Sequence, residues 1–342
     1  MLIPFLIPFI IGIFLAINMG GSGIGPSFSA AYGANVIRRT AIPGLFGIMV
    51  FLGAILGGEA TAKTIGNNLL SADAMTYTVV SIILLSVAIS LFIANLLGVP
   101  QSTSQSTVMA VTAPALYLEQ FNSHTLFVEI IPTWFITPVA AFLIALFVGK
   151  YIYKPIRKTG ITISKQMNDS YILKGLILVM ALYVAFSIGA NNVANAVGPI
   201  SSMAINELNV APTHYIHIII LSTLIIAPSF AIGSSLLGKK VLQNTGKEIV
   251  LFGKIEAVII AFISASLLLG VSLFKGIPTS LVQLNVGAIL GIGVAKLGFK
   301  NIFSKTEVNK FFVVWIVAPI IAFSLSLLLT YIADGMGILN YH

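Results

Sequence analysis

The chain has 342 residues, 58% hydrophobic and 8% charged, with a mean hydropathy of +1.04 and a net charge of +8. A soluble domain carries roughly 25% charged residues, so the composition excludes one and predicts an all-α polytopic membrane protein. Zero cysteines exclude disulfides, thiolate metal sites and cysteine nucleophiles.

Apolar segments long enough to cross a bilayer, about 20 residues each, fall near 2–19, 42–58, 76–98, 125–149, 172–188, 215–237, 251–274 and 311–333. The first lacks a basic leading region and a small-residue cleavage site, so it reads as a span rather than a cleaved leader. Two further segments, 100–118 and 278–296, are shorter and polar-headed, beginning Pro100-Gln101-Ser102 and Pro278-Thr279-Ser280. Each is either a crossing or half of a re-entrant hairpin. Counted as crossings, they bring the total to ten.

Charge tests that count. With the N-terminus outside, sixteen of the eighteen Lys and Arg fall in inner loops, leaving only Lys63 and Lys275 outside. The outer loops carry Asp73, Glu119, Glu207 and Asp334. This is the positive-inside bias, and it predicts a cytoplasmic-membrane protein with both termini extracytoplasmic. Replacing a single polar-headed crossing with a hairpin would invert everything downstream. The basic residues lie between spans without interleaved aromatics, so topology accounts for them and nucleic acid is not expected as a partner; the lipid bilayer is.

Four anchors recur in order along the chain. Ile17 to Ser22 resembles Phe186 to Asn191, Gly58 to Gly66 resembles Gly238 to Gly246, and Gly98 to Gln105 matches Gly276 to Gln283. Trp134, Pro138, Ala141 and Phe142 match Trp315, Pro319, Ala322 and Phe323, and the four offsets are 169, 180, 178 and 181 residues. The chain therefore divides into a first transmembrane repeat, 1–149, a basic cytoplasmic linker, 150–171, and a second repeat, 172–342. Five crossings per half make the repeats inverted, and such folds place substrate at the midplane where the repeats meet.

The chemistry of the paired polar stretches follows from their residues. Gly20, Gly21 and Gly23 in one half and Gly189 in the other are expected to break the helix, because glycine lets the chain leave it. A helix restarting after each break would aim its unpaired N–H groups at an anion. Ser22, Asn191, Asn192 and Asn195 add neutral donors. The second pair sets Ser102, Thr103, Ser104 and Gln105 against Thr279, Ser280 and Gln283, each group following a proline that suits a helix start. Two breaks and two hydroxyl clusters predict four helix ends around one anion. The bland reading, that such hydroxyls only satisfy helix carbonyls or allow close packing, is weakened by their paired recurrence behind proline.

Gly189-Ala190-Asn191-Asn192-Val193-Ala194-Asn195-Ala196 resembles the GANDVANA signature of the inorganic phosphate transporter family, and the Pro-x-Ser blocks resemble its PxSTTH-type segments. The resemblance covers nearly the whole chain and implies inverted repeats, external termini and an anion site at these segments. Asn18-Met19-Gly20, Ala30 to Gly33, Ala94 to Gly98 and Gly291 to Lys296 liken it further to the bacterial sulfate permease branch of that family. Departures from the phosphate pattern are informative. The signature aspartate is Asn192 in one half and Gly23 in the other, the helix glutamates align with Val50 and Phe230, and the histidines are Gln105 and Gln283.

A site without carboxylates favours sulfate, which carries no proton at neutral pH and needs only donors, over phosphate, which also needs an acceptor. The expected function is secondary active import of sulfate, with phosphate as the alternative substrate and a passive anion channel as the alternative mechanism. No cofactor, metal site or enzymatic activity is expected. A co-transported proton or sodium ion is, with Glu256 and Glu59 as candidate coupling residues, although near an interface such groups also simply pair or snorkel. Missing carboxylates weaken sodium ligation. A homodimer is carried as a partner expectation. Trp134 and Trp315 read as packing residues, and His214 and His217 as interfacial anchors.

Overall fold

A computed structural model describes residues 2–97, 101–153, 170–244, 253–304 and 306–339. The Gly98-Val99-Pro100 head, most of the basic linker (154–169), Gly246, Lys247 and Lys305 lie outside the described residues. Among the described residues eight helices are long and apolar enough to cross a membrane, and each overlaps one of the eight expected apolar segments. In chain order the principal helices are α1 (Leu2–Gly33), α2 (Ile42–Gly57), the short α3 (Glu59–Lys63), α4 (Tyr77–Leu97), α5 (Thr103–Tyr117) and α6 (Ile131–Phe147). After the linker come α7 (Tyr171–Asn192), α8 (Ala194–Glu207), α9 (Tyr215–Ile226), α10 (Pro228–Asn244), α11 (Lys254–Lys275), α12 (Leu281–Leu297), α13 (Phe299–Phe303) and α14 (Thr306–Gly335).

The expected helix breaks at Gly20, Gly21, Gly23 and Gly189 are not breaks. α1 runs unbroken through the first three, and Gly189 lies inside α7. The corresponding stretch of the second half, Gly189 to Ala196, is interrupted only at Val193, which keeps right-handed helical angles, φ −61° and ψ −32°. These glycines serve packing instead. A Cβ on Gly20 would collide with the Phe230 carbonyl of α10, and one on Gly189 with the Val50 carbonyl of α2. Likewise Gly53 of α2 sits against the Phe186 carbonyl, and Gly233 of α10 against that of Ile17. Small residues let helix backbones approach this closely where lipid supplies no hydrophobic drive for association.

These four contacts are two pairs. Gly189 lies 169 residues after Gly20, as Phe186 does after Ile17, while Phe230 lies 180 after Val50, as Gly233 does after Gly53. Those are the offsets that the sequence repeat shows. Each half thus lays its second helix across the first helix of the other half, α2 on α7 and α10 on α1. The same exchange occurs between α5 and α14 and between α12 and α6.

The polar-headed segments resolve as the return legs of hairpins. α5 has 15 residues and α12 has 17, about 22 and 25 Å at 1.5 Å per residue, short of a core about 30 Å thick. α5 packs back against α4, and α12 against α11. At the open end of the first hairpin Tyr77 N–H donates to Glu207 Oε1 at 3.2 Å and Tyr117 Oη to Asp334 Oδ2 at 2.6 Å. At the open end of the second, Glu256 pairs with Lys296. A hairpin that enters and leaves on one side removes two crossings, α4 with α5 and α11 with α12, so the ten expected crossings become six and the parity behind the expected loop sidedness is unchanged. Asp73, Glu207 and Asp334 are tied to one end of the molecule through Asn206, Tyr77 and Tyr117.

Candidate functional site

The hairpin tips meet α1 and α7 around a cavity of about 20 Å³, room for about one water. Ser22, Gly23 and Pro26 of α1 form one wall, and Ile188 and Asn192 of α7 another. Gln101, Ser102 and Thr103 close it from the first tip, and residues 279–282 from the second. No ionisable side chain is among the lining residues. A tetrahedral anion would require the helix starts to part slightly.

Both tips are built alike. Ser102 caps α5 by accepting the Gln105 N–H at 3.3 Å, and Ser280 caps α12 by accepting that of Gln283 at 3.3 Å. Such caps satisfy the third N–H of a helix and leave the first two without intrahelical acceptors. At α12 those two belong to Leu281 and Val282, which explains why apolar residues line a polar site. Two helix N-termini therefore face the cavity, not the four expected, because α1 does not restart and α7 passes into α8 with one interrupted residue. On α1, Pro26 cannot return a hydrogen bond to the Ser22 carbonyl, and Ser27 Oγ donates to the Gly23 carbonyl at 2.9 Å.

Asn191 has no exposed surface and is bonded on every side. Its Oδ1 accepts from Thr279 N–H at 3.1 Å and Ser272 Oγ at 3.0 Å, and its Nδ2 donates to the Thr279 carbonyl at 2.8 Å and Ser104 Oγ at 3.0 Å. A backbone donor and a backbone acceptor of one residue thus fix which way this amide points. Asn192 Oδ1 lies 2.7 Å from the same Nδ2, which shares its two N–H groups among three acceptors, and Asn192 Nδ2 donates to Thr103 Oγ1 of the cavity wall at 3.2 Å. Asn192 presents a donor.

The expected anion-binding residues therefore separate into two layers. Ser22, Asn192, Ser102, Thr103, Thr279 and Ser280 line the cavity. Asn191, Asn195, Ser104, Gln105 and Gln283 do not; they are buried behind it and bonded to protein. Gln105 and Gln283 bond each other, Nε2 to Oε1 at 3.1 Å one way and 2.9 Å the other. Asn195 Nδ2 reaches Ser104 Oγ at 3.3 Å.

The carboxylates stand elsewhere. Glu59 pairs with Lys63 four residues on, and both are half-exposed. Glu256 is 2% exposed and paired with Lys296. Neither lines the cavity, and among the described residues no cluster of three His, Cys, Asp or Glu could hold a metal. Beyond the expected set, Gln101 also lines the cavity, and two further residues hold the site from behind. Trp134 is not packing alone, since its Nε1 donates to the Pro278 carbonyl at 2.9 Å and so fixes the second tip. Ser272 supports Asn191. The recurrence of Trp134 in the repeat was a signal for the first; a serine inside an apolar span offers none.

A model of the phosphate transporter family matches residues 19–326. A sulfate permease of Bacillus subtilis is 36% identical over 318 residues, covering 93% of this chain and 84% of the relative. A protein of Methanocaldococcus jannaschii, provisionally named a phosphate permease, is 28% identical over 317 residues and covers 92% of each chain. In three dimensions the chain superposes on a sodium-dependent phosphate transporter with a TM-score of 0.81 at 21% identity, over 97% of this chain and 99% of that one.

Proposed function

The chain belongs to the phosphate transporter family, and from that premise we propose that it is a secondary active importer of an inorganic tetrahedral oxyanion, sulfate before phosphate. The cavity carries the argument. Its wall offers two helix starts, hydroxyls and an amide donor but no ionisable side chain, a set that suits an unprotonated anion. Hydrogen phosphate brings its own proton and needs an acceptor, and the hydroxyl and amide oxygens of this wall, those of Gln101 and Asn192 among them, are weaker acceptors than a carboxylate. The similarity to a sulfate permease supports the same preference. The two homologous halves are the proposed domains, with the extracytoplasmic face at the end that gathers Asp73, Glu207 and Asp334.

A divalent anion entering a negative-inside cell is opposed by about 2.3 kcal/mol per charge per 100 mV, so uphill import calls for a co-transported cation. We assign that role to protons, with sodium as the alternative. Glu256 is the better coupling candidate of the two carboxylates because it is buried, and carrying a proton there requires its pair with Lys296 to open. Labelled sulfate and labelled phosphate uptake into proteoliposomes, each under an imposed proton or sodium gradient, tests the reading. Proton-driven sulfate accumulation is expected. Sodium-driven phosphate accumulation would overturn the substrate and coupling assignments, and an anion current indifferent to both gradients would establish a channel instead.

A further inference from the structure

We propose that Gln105 and Gln283 form a neutral crossbar that sets the gap between the two helix starts and thereby the affinity and size preference of the anion site. The inference rests on the anion reading above and assigns these two residues a positioning role in place of direct binding.

Four observations carry it. The two amides form a closed ring of reciprocal bonds, 3.1 and 2.9 Å, between residues 178 apart. Both are buried, 4% and 5% exposed. Each occupies the same position on its tip, three residues after the capping serine, and gives its backbone N–H to that serine. Neither lines the cavity, while residues one to four positions before them on both tips do. The crossbar is therefore the direct side-chain link between the two capped starts that supply the site with N–H donors. Lengthening, shortening or charging it moves those donors relative to each other.

An amide pair is suited to this task because it links without charge. A carboxylate at either position would place a negative group behind the anion and lose the donor half of the ring. A protonated carboxyl would restore both, since its O–H donates to the Gln283 Oε1 and its carbonyl accepts from the Gln283 Nε2. No ionisable side chain lines the cavity or hydrogen-bonds either glutamine, so a titration that appears in Q105E and not in wild type belongs to the new carboxyl.

The test is equilibrium binding of labelled sulfate to the purified full-length protein across pH, with selenate and molybdate as larger competitors. Single variants Q105L and Q283L each leave a buried amide unpaired, and a loss of about tenfold in sulfate affinity is expected, corresponding to about 1.4 kcal/mol. The double variant Q105L/Q283L should lose no more than either single one, because the pair acts as a unit, and its preference should shift towards the larger anions. Q105E should bind sulfate poorly at neutral pH and recover towards wild type as pH falls. Unchanged affinity and size preference in folded leucine variants would overturn the crossbar, as would a Q105E-to-wild-type affinity ratio constant with pH. Reduced uptake with unaltered binding would overturn it too. Wild-type protein that binds neither sulfate nor phosphate would sink the anion reading, and the crossbar with it.

Discussion

Asn191 and Asn192 are adjacent and chemically identical, yet the fully buried Asn191 is a fastener and the partly buried Asn192 a wall of the cavity. The difference is a consequence of helix geometry. One step along α7 turns a side chain by about 100°, enough to move it from the Thr279 backbone to the cavity. Asn192→Asp tests the donor argument most directly. A carboxylate there repels sulfate and supplies the acceptor that hydrogen phosphate lacks, so sulfate affinity should fall by about tenfold or more while the phosphate-to-sulfate preference rises in competition uptake. An unchanged preference would count against the substrate assignment. The residue types of the site were legible in the sequence, because helix-starting prolines followed by hydroxyls have few other uses at membrane depth. Which of them face substrate was not, since that depends on rotation about each helix and on the partner across the gap.

Among the helices, glycine has two different uses that look alike in sequence. Gly20 and Gly189 suggested a break, but each lies in continuous helix with a neighbouring backbone where its side chain would be. Lipid-embedded helices keep their internal hydrogen bonds because no water replaces them, so the chain uses glycine for approach rather than for unwinding. Gly53→Leu and Gly233→Leu should each abolish stable expression or lower thermal stability sharply, since a large side chain would force α2 off α7 or α10 off α1. Gly270 of α11, with nothing within 4 Å of a Cβ, is the control. Gly270→Ala should be neutral or stabilising by about 0.5–1 kcal/mol, measured by detergent-solubilised melting. If Gly53→Leu melts like Gly270→Ala, the close-packing account fails.

At the scale of the whole molecule, the anchors that recur in the sequence at offsets of 169 and 180 residues are the ones that meet in the close helix contacts, which supports the proposed two-repeat organisation. Because the chain contains no cysteine, sidedness can be read from single introduced thiols. Asp73→Cys, Glu119→Cys and Asp334→Cys should react with a membrane-impermeant maleimide added to intact cells, while Lys300→Cys should react only after permeabilisation. The opposite pattern would invert the proposed topology.

Eight long apolar segments, the recurring anchors and the polar stretches among them were legible in the sequence alone, because apolar length, loop charge and recurrence are properties of the linear chain. Tertiary structure decided the rest: that the short polar-headed helices pack back against the helices before them, that the glycine stretches stay helical, and that Gln105 and Gln283 bond each other. The reason is physical. A side chain's membrane depth is set locally by its position along a helix, whereas its hydrogen-bond partner is set by helices that arrive from elsewhere in the chain, here from the other half.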